Sequence, residues 1–464
     1  MLGLAVLLAV CLAPSAKASD PAPDKAPPRD ALAARQVLQD TAVQTGRHPL
    51  RAGATLLADL SGLLRSAEVG LVRKRLAMNL AGSAGPVPSC RPTLDPEALD
   101  AELKRVTGAE LQPASIRLYP DGAEALDALD GLIDGAACRI DVLMYLWDDD
   151  PIGRDVATRL ASRAGPDLPV RVLVDGGGNL LQGEPKEASA AEVNRVVCWL
   201  SRQPYVQLLR TRDPGLHFDH RKLVVADGRT AWSGGRNFTR RAFLEDHDLS
   251  YTVVGPLAAE AAAVFENFWR EQGGRAAGPL PSSPTPPYTA NARARLVGTG
   301  PRDRQLERSL YGAVDAARDH IFVENPYFAD NLLESKLAQA RRRGVDVRAM
   351  LTLHDVSATI DRANRVTADR LLRAGVRVYL YPGMTHVKAA AVDGRWAYIG
   401  TGNFDTLSLR RNRELGLAIG SGALIGEVEE RIFARDFCPE WELTEPLPLR
   451  PCDYLSETIA NLFL

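Results

Sequence analysis

Apolar runs and helically spaced apolar residues recur along this chain in two matching rounds. In the first, LDALDGLIDGAACRIDVLMYLW (residues 126–147) spaces its leucines and isoleucine at helical intervals and then runs into an unbroken apolar segment. That is the pattern of a helix followed by a buried strand. VRVLVDGGG, from Val170, supplies a second strand ending in glycines. The second round repeats the order: ERSLYGAVDAARDHIFVENPYF (307–328) reads as helix then strand, and VDVRAMLTLHD (345–355) as the next strand. Strands alternating with helices predict an α/β fold, with helices covering a parallel or mixed sheet. The rounds define two similar halves, 114–272 and 292–464. Between them, residues 273–291 begin GGRAAGPLPSSPTPPY, the composition of a linker.

The pattern ahead of residue 114 differs. The stretch ATLLADLSGLLRSAEVGLVRKRLAMNL (54–80) has helical apolar spacing with basic residues near its end, so 31–113 is expected to form a mostly helical extension. Such a helix either packs on the domain behind it or lies on a membrane surface. Residues 19–30 are rich in Pro, Ala and charge and are expected to be disordered. Leu2 to Leu12 is apolar, Pro14 breaks it, and Ala16-Lys17-Ala18 is a small-residue cleavage site. This predicts a signal peptide over 1–18, cut after Ala18, and an exported chain, periplasmic or secreted. No later run reaches 18 apolar residues, so no membrane span is expected in the mature chain.

Composition narrows the function classes. The chain has 464 residues, 45% hydrophobic and 25% charged, within the ordinary globular range. Its formal net charge of −2 carries no basic excess of the kind that marks a nucleic-acid binder. In an oxidising compartment Cys438 and Cys452, flanking a Pro-rich turn, are the best disulfide candidates. No cysteine or histidine set has zinc-ligand spacing, and His217, Asp219 and His220 lack a completing residue, so neither a metal nor another cofactor is expected.

One pattern carries chemistry. His-x-Lys-x4-Asp-x6-Gly-x-x-Asn occurs twice: His220, Lys222, Asp227, Gly234 and Asn237, then His386, Lys388, Asp393, Gly400 and Asn403. In each copy an apolar stretch between Lys and Asp, LVVA or AAAV, reads as a buried strand, and His and Lys share one parity. Lysine ammoniums and asparagine amides can hold the non-bridging oxygens of a phosphodiester and stabilise charge in its transition state. Histidine attacks or exchanges protons near neutral pH. Two histidines let one attack phosphorus while the other protonates the leaving alkoxide, giving a covalent phosphohistidine. The glycines permit close backbone approach. Asp227 and Asp393 are read as structural, pairing with backbone or a cation at the turn.

This is the duplicated HKD signature, and the chain resembles the phospholipase D superfamily. Within it, the cardiolipin synthase branch is the nearer likeness. Both halves carry a strand ending in an aromatic (Tyr145, Tyr327), a helix and a strand opening on Val-Arg, V-D-V-R at 345–348 and L-P-V-R at 168–171. Asn403, Asp405, Ser408, Asn412 and Glu414 follow the second motif, and Asp248 follows the first. The resemblance covers about 114–440. It implies two phospholipase D-like halves packed face to face and active as a monomer on phospholipid at a membrane surface. By the same resemblance, His220 is the nucleophile and His386 the general acid and then base. Lys222, Lys388, Asn237 and Asn403 bind phosphate, and Asp248 and Glu414 orient the motif histidines. Tyr145, Leu146, Trp147, Pro326, Tyr327 and Phe328 are candidates for an apolar lipid entrance. A second reading, an exported metal-independent nuclease of the same superfamily, would use the same motif. An acidic chain with both motifs fits it less well.

Overall fold

The computed structural model describes residues 94–178, 195–211, 217–276, 278, 287–354 and 357–463. The expected signal peptide, the segment 19–30, most of the helical extension and about half of the linker lie outside the described residues.

Fourteen strands form one path through a single mixed sheet, seven from each half. The first half contributes β1 (Gln112–Tyr119), β2 (Ile140–Met144), β3 (Val170–Val174), β4 (Val206–Arg210), β5 (Lys222–Ala226), β6 (Thr230–Gly234) and β7 (Ser250–Val254). The second contributes β8 (Ala292–Gly300), β9 (His320–Glu324), β10 (Asp346–Thr352), β11 (Arg377–Tyr381), β12 (Ala389–Val392), β13 (Trp396–Gly400) and β14 (Glu414–Gly422). The order is β11-β10-β9-β12-β13-β14-β8-β1-β7-β6-β5-β2-β3-β4, and a short strand, Asp303–Arg304, pairs with β8 off this path. Each strand of one half therefore has a counterpart seven places on in the other. The halves join where β1 and β8 pair antiparallel, Gln112 opposite Ala294. In both, three parallel strands continue into antiparallel ones, so the expected mixed sheet is present.

Side-chain alternation sorts the core into layers. Along β2 and β5, Val142, Met144, Val224 and Ala226 face an outer core under helices Gly122–Asp134 and Pro151–Arg163, whereas Leu143, Leu223 and Val225 face inward. The inward residues share one core with Val387, Ala389 and Ala391 of the second half and with Phe265, Phe268 and Trp269 of helix Pro256–Glu271. The halves thus face each other across a common interior as well as meeting edge to edge.

The described part of the N-terminal extension is helix Pro96–Thr107. Asp95 caps it by accepting from the Glu97 and Ala98 amides, Pro96 opens it, and Gly108 ends it at φ 72°. Its buried Leu99 and Leu103 join the outer core of the second half beside helix Gln305–Ala316. This segment therefore packs on the domain. Cys438 and Cys452 are free thiols: one turns to Glu440, while the other opens helix Pro451–Phe463 beside Asp453. Nearness in sequence does not bring Cβ atoms to bonding distance, so the expected disulfide is absent.

Candidate active site

The motif histidines lie on short segments that run into β5 and β12, and each is stitched to the opposite half by its backbone. The His220 amide donates to the Arg413 carbonyl at 3.0 Å, and the His386 amide to the His247 carbonyl at 2.6 Å. Arg413 immediately precedes Glu414 and His247 precedes Asp248, so each stitch delivers a carboxylate from the other half to a histidine. His220 Nδ1 lies 3.1 Å from Glu414 Oε2, and His386 Nδ1 lies 2.7 Å from Asp248 Oδ2. The pairing is crossed: the acid downstream of each motif meets the histidine of the other.

A carboxylate only accepts, so in both pairs Nδ1 carries the hydrogen and Nε2 keeps its lone pair. Thr401 fixes Glu414 further. Its hydroxyl donates to Oε2 at 2.5 Å and accepts from the Leu415 amide. At the equivalent place in the first half stands Gly235, where a Cβ would come within 2.1 Å of Asp248 Oδ1. Asp248 instead accepts from its neighbour Leu249 at 2.7 Å. The motif glycines act one step further out. A Cβ at Gly234 would strike the Leu249 carbonyl, and one at Gly400 the Cα of Gly416, so both keep the carboxylate-bearing strand close.

His220 and His386 keep 7% and 9% exposure, while Lys222 and Lys388 have 0% and 1%. The histidines thus keep slight solvent contact while the lysines keep almost none. Each lysine donates to the carbonyl of its own motif histidine at 2.7 Å, and Lys222 also lies 4.9 Å from the centre of the Tyr145 ring. Burial pushes both ammoniums down, Lys388 to about 8 and Lys222 well below its ordinary value. Burial and the lysines likewise depress the imidazoles, against the pull of the carboxylates, and His386 falls to about 3. Each histidine feels the lysine of both halves. Burial and the paired lysines therefore favour neutral imidazoles in the free site, beside two amines suited to meet a phosphate. The carbonyl oxygens of Asn237 and Asn403 are buried without a hydrogen-bond partner among the described residues.

Asp227 and Asp393 stand apart from this cluster, at the far ends of β5 and β12, a strand length of roughly 16 Å for five residues. Both have φ 54°. Asp227 accepts from the amides of Ala137, Cys138 and Arg139, and Asp393 from those of Arg318, Asp319 and His320. Each ties a motif strand to the start of its antiparallel neighbour.

The expected apolar entrance is not formed by all six aromatic and apolar residues. Trp147 and Phe328 are fully buried in the outer cores, Trp147 against Phe238 with its indole donating to Gly153, and Phe328 against Phe404. Position at a strand end does not determine which layer a side chain enters. Tyr145 does reach the site, its ring 4.6 Å from that of His220. Thr401, Gly235 and the paired carbonyls of Arg413 and His247 are supports that motif reading missed. Thr401 and Gly235 occupy matching places just after the motif glycines, a signal available in the duplicated register.

The family described as cardiolipin synthase, phospholipase D-like domain, matches residues 129–269 and 310–436. Cardiolipin synthase A of Yersinia pseudotuberculosis serotype O:3 is 29% identical over 354 residues, covering 72% of this chain and 72% of that protein. Cardiolipin synthase A of Yersinia pestis is likewise 29% identical over 354 residues with the same coverage. Among solved structures, the phosphatidylserine synthase of Haemophilus influenzae shares the fold with a TM-score of 0.58, over 79% of this chain and 97% of that one, at 15% identity.

Proposed function

This chain belongs to the family of cardiolipin synthase phospholipase D-like domains, which supports phosphatidyltransferase activity, and we propose that it transfers phosphatidyl groups through a covalent phosphohistidine. The observation that carries the reading is the crossed pair of buried histidine–carboxylate contacts, which leaves two Nε2 atoms for one phosphodiester.

In the proposed cycle, His220 Nε2 attacks phosphorus and the bond to the leaving oxygen breaks. His386 gives that oxygen its proton. The acceptor hydroxyl then loses its proton to His386 and attacks the phosphohistidine, releasing His220 neutral. Lys222, Lys388, Asn237 and Asn403 bind the non-bridging oxygens. Asp248 stabilises the His386 imidazolium and Glu414 orients His220. The depressed value of His386 suits this sequence: an anionic phosphate offsets the two lysines, so the proton arrives with substrate. Both histidines and both carboxylates belong to one chain, which supports a monomeric enzyme. No helix among the described residues is long and apolar enough to cross a membrane. We read the protein as exported and peripheral on a phospholipid surface, with the two halves and linker as its catalytic domains.

Incubating purified protein with phosphatidylglycerol, a primary alcohol and, separately, DNA, with products resolved by mass spectrometry, tests the proposal. Cardiolipin or a phosphatidyl-alcohol is expected. Phosphatidic acid as sole product across rising acceptor concentration would leave a plain phospholipase, and cleavage of DNA with phospholipid untouched would establish the nuclease.

A further inference from the structure

Beside the histidine pair lies a second cluster of ligating side chains that the proposed reaction does not use. His247 stands before β7, Glu324 ends β9, and Asp436 closes the helical turn Ala434–Asp436. One donor atom from each lies within 4.8 Å of the others. His247 Nε2 is 2.8 Å from Asp436 Oδ2 and 3.8 Å from Glu324 Oε1. The His247 ring stacks on Tyr381 at 4.9 Å, which fixes its orientation. Glu324 is fully buried: Oε1 accepts from the Thr385 hydroxyl at 2.5 Å, while Oε2 is enclosed without a hydrogen-bond partner.

The charge here does not balance. Among the described residues no lysine or arginine forms an ion pair with Glu324 or Asp436, and the imidazole of His247 is the one basic side chain paired with both. Two carboxylates brought together out of water need a compensating charge or a shared proton. Among the described residues no matching cluster lies beside His220. Arg413 occupies the place that matches His247, and Met144 the strand end that matches Glu324.

We propose that His247, Glu324 and Asp436 bind one divalent transition-metal ion of the zinc class. Imidazole nitrogen and carboxylate oxygen both ligate zinc, and three protein ligands leave a further position for solvent. A nitrogen ligand disfavours magnesium and calcium, which take oxygen. A dication matches the two carboxylates and takes up the enclosed Glu324 oxygen. The ion would link the first half, through His247, to two elements of the second. It would also brace His386 from both sides: the His247 carbonyl accepts the His386 amide, and Thr385, the residue before His386, donates to Glu324. Its role is positioning, outside the phosphoryl chemistry. Zinc-ligand spacing could not show this set, because its members are scattered from residue 247 to residue 436.

The competing account is a proton shared by Glu324 and Asp436. It is consistent with burial and the neighbouring Asp436 holding Glu324 well above the ordinary carboxylate range. A zinc titration separates the two. The full chain is stripped with chelator, dialysed against Zn²⁺ alone, and analysed for metal content and thermal midpoint. One zinc per chain and a midpoint that rises with zinc are expected. Asp436→Asn and His247→Gln should each weaken zinc binding by at least about tenfold, while His220→Ala and His386→Ala retain it. Cobalt(II) in place of zinc should give a visible absorption band that His247→Gln alters. If stripped wild-type protein takes up no zinc and its midpoint does not move, the shared proton is the answer. If Asp436→Asn and His247→Gln bind zinc like wild type, the ion sits elsewhere and the proposal fails. Should those variants not fold, the wild-type titration and its cobalt spectrum decide alone.

Discussion

Replacing Asp248 with asparagine tests the crossed pairing directly. The substitution keeps the shape and removes the charge beneath His386. At the 2.7 Å separation of Asp248 Oδ2 and His386 Nδ1, a full charge pair in an effective dielectric of 20 is worth about 6 kcal/mol. That is an upper bound, because asparagine still offers a dipole and nearby groups relax. A loss of about 3–6 kcal/mol corresponds to a fall of roughly 10²- to 10⁴-fold in turnover. An asparagine amide can also donate to Nδ1, which would place the imidazole hydrogen on Nε2 and leave His386 unable to accept the acceptor's proton. Asp248 does not touch substrate in the proposed cycle, so KM should change little. Steady-state transfer kinetics give the first readout, and nitrogen-15 shifts of the two imidazoles give the second. The Asp248→Asn change should move the signals of His386 and leave those of His220 in place. The argument fails if turnover stays within tenfold of wild type at an unchanged thermal midpoint, or if the shifts move on His220 instead.

Other outcomes follow from the same geometry. His220→Ala and His386→Ala should each remove nearly all transfer, with the double variant little worse, since both serve one reaction; substantial activity in either single variant refutes the two-histidine site. In His247→Gln, which lacks the proposed zinc site, the remaining turnover should survive EDTA, because the phosphate partners proposed here are lysines and asparagines; loss there that a divalent ion reverses would refute the metal-free chemistry. Since burial and the lysines depress both imidazoles, the free site loses its catalytic proton as pH rises through a value below the ordinary 6.5 of histidine. The alkaline limb of kcat/KM should lie below that of kcat, where bound phosphate offsets the lysines, and coincident limbs above 6.5 would contradict this. His320 behaves oppositely: although burial opposes it, Glu429 and Asp319 raise its value, so its stabilisation is full below pH 6.5 and is lost as pH rises through the raised folded value. His320→Gln should therefore lower the thermal midpoint more at pH 6 than at pH 9.

What the sequence could reveal follows from how far each feature reaches along the chain. The motif copies were legible because His, Lys, Asp, Gly and Asn recur in fixed local register, and the two α/β halves because helix-then-strand spacing repeats around them. Asp227 and Asp393 were expected to pair with backbone or a cation at the turn, and their carboxylates accept backbone amides there, which a turn residue after a buried strand has within reach. The crossing was not legible. It depends on antiparallel joining of β1 and β8 and on hydrogen bonds from His220 to Arg413 and from His386 to His247, contacts that span more than a hundred residues without a periodic trace. Trp147 and Phe328 were misplaced for a related reason: alternation says that neighbours point opposite ways, but not which way faces the site. The same limit hides the cluster of His247, Glu324 and Asp436. A duplicated fold makes one kind of inference available to compensate. Where the halves match, as at Asp248 and Glu414, residues share a role. Where they part, as at His247 against Arg413 and Glu324 against Met144, the difference falls around one motif histidine alone. That histidine, His386, is the one proposed to carry the proton, so support for it that His220 lacks is consistent with two equivalent imidazoles having taken unequal tasks.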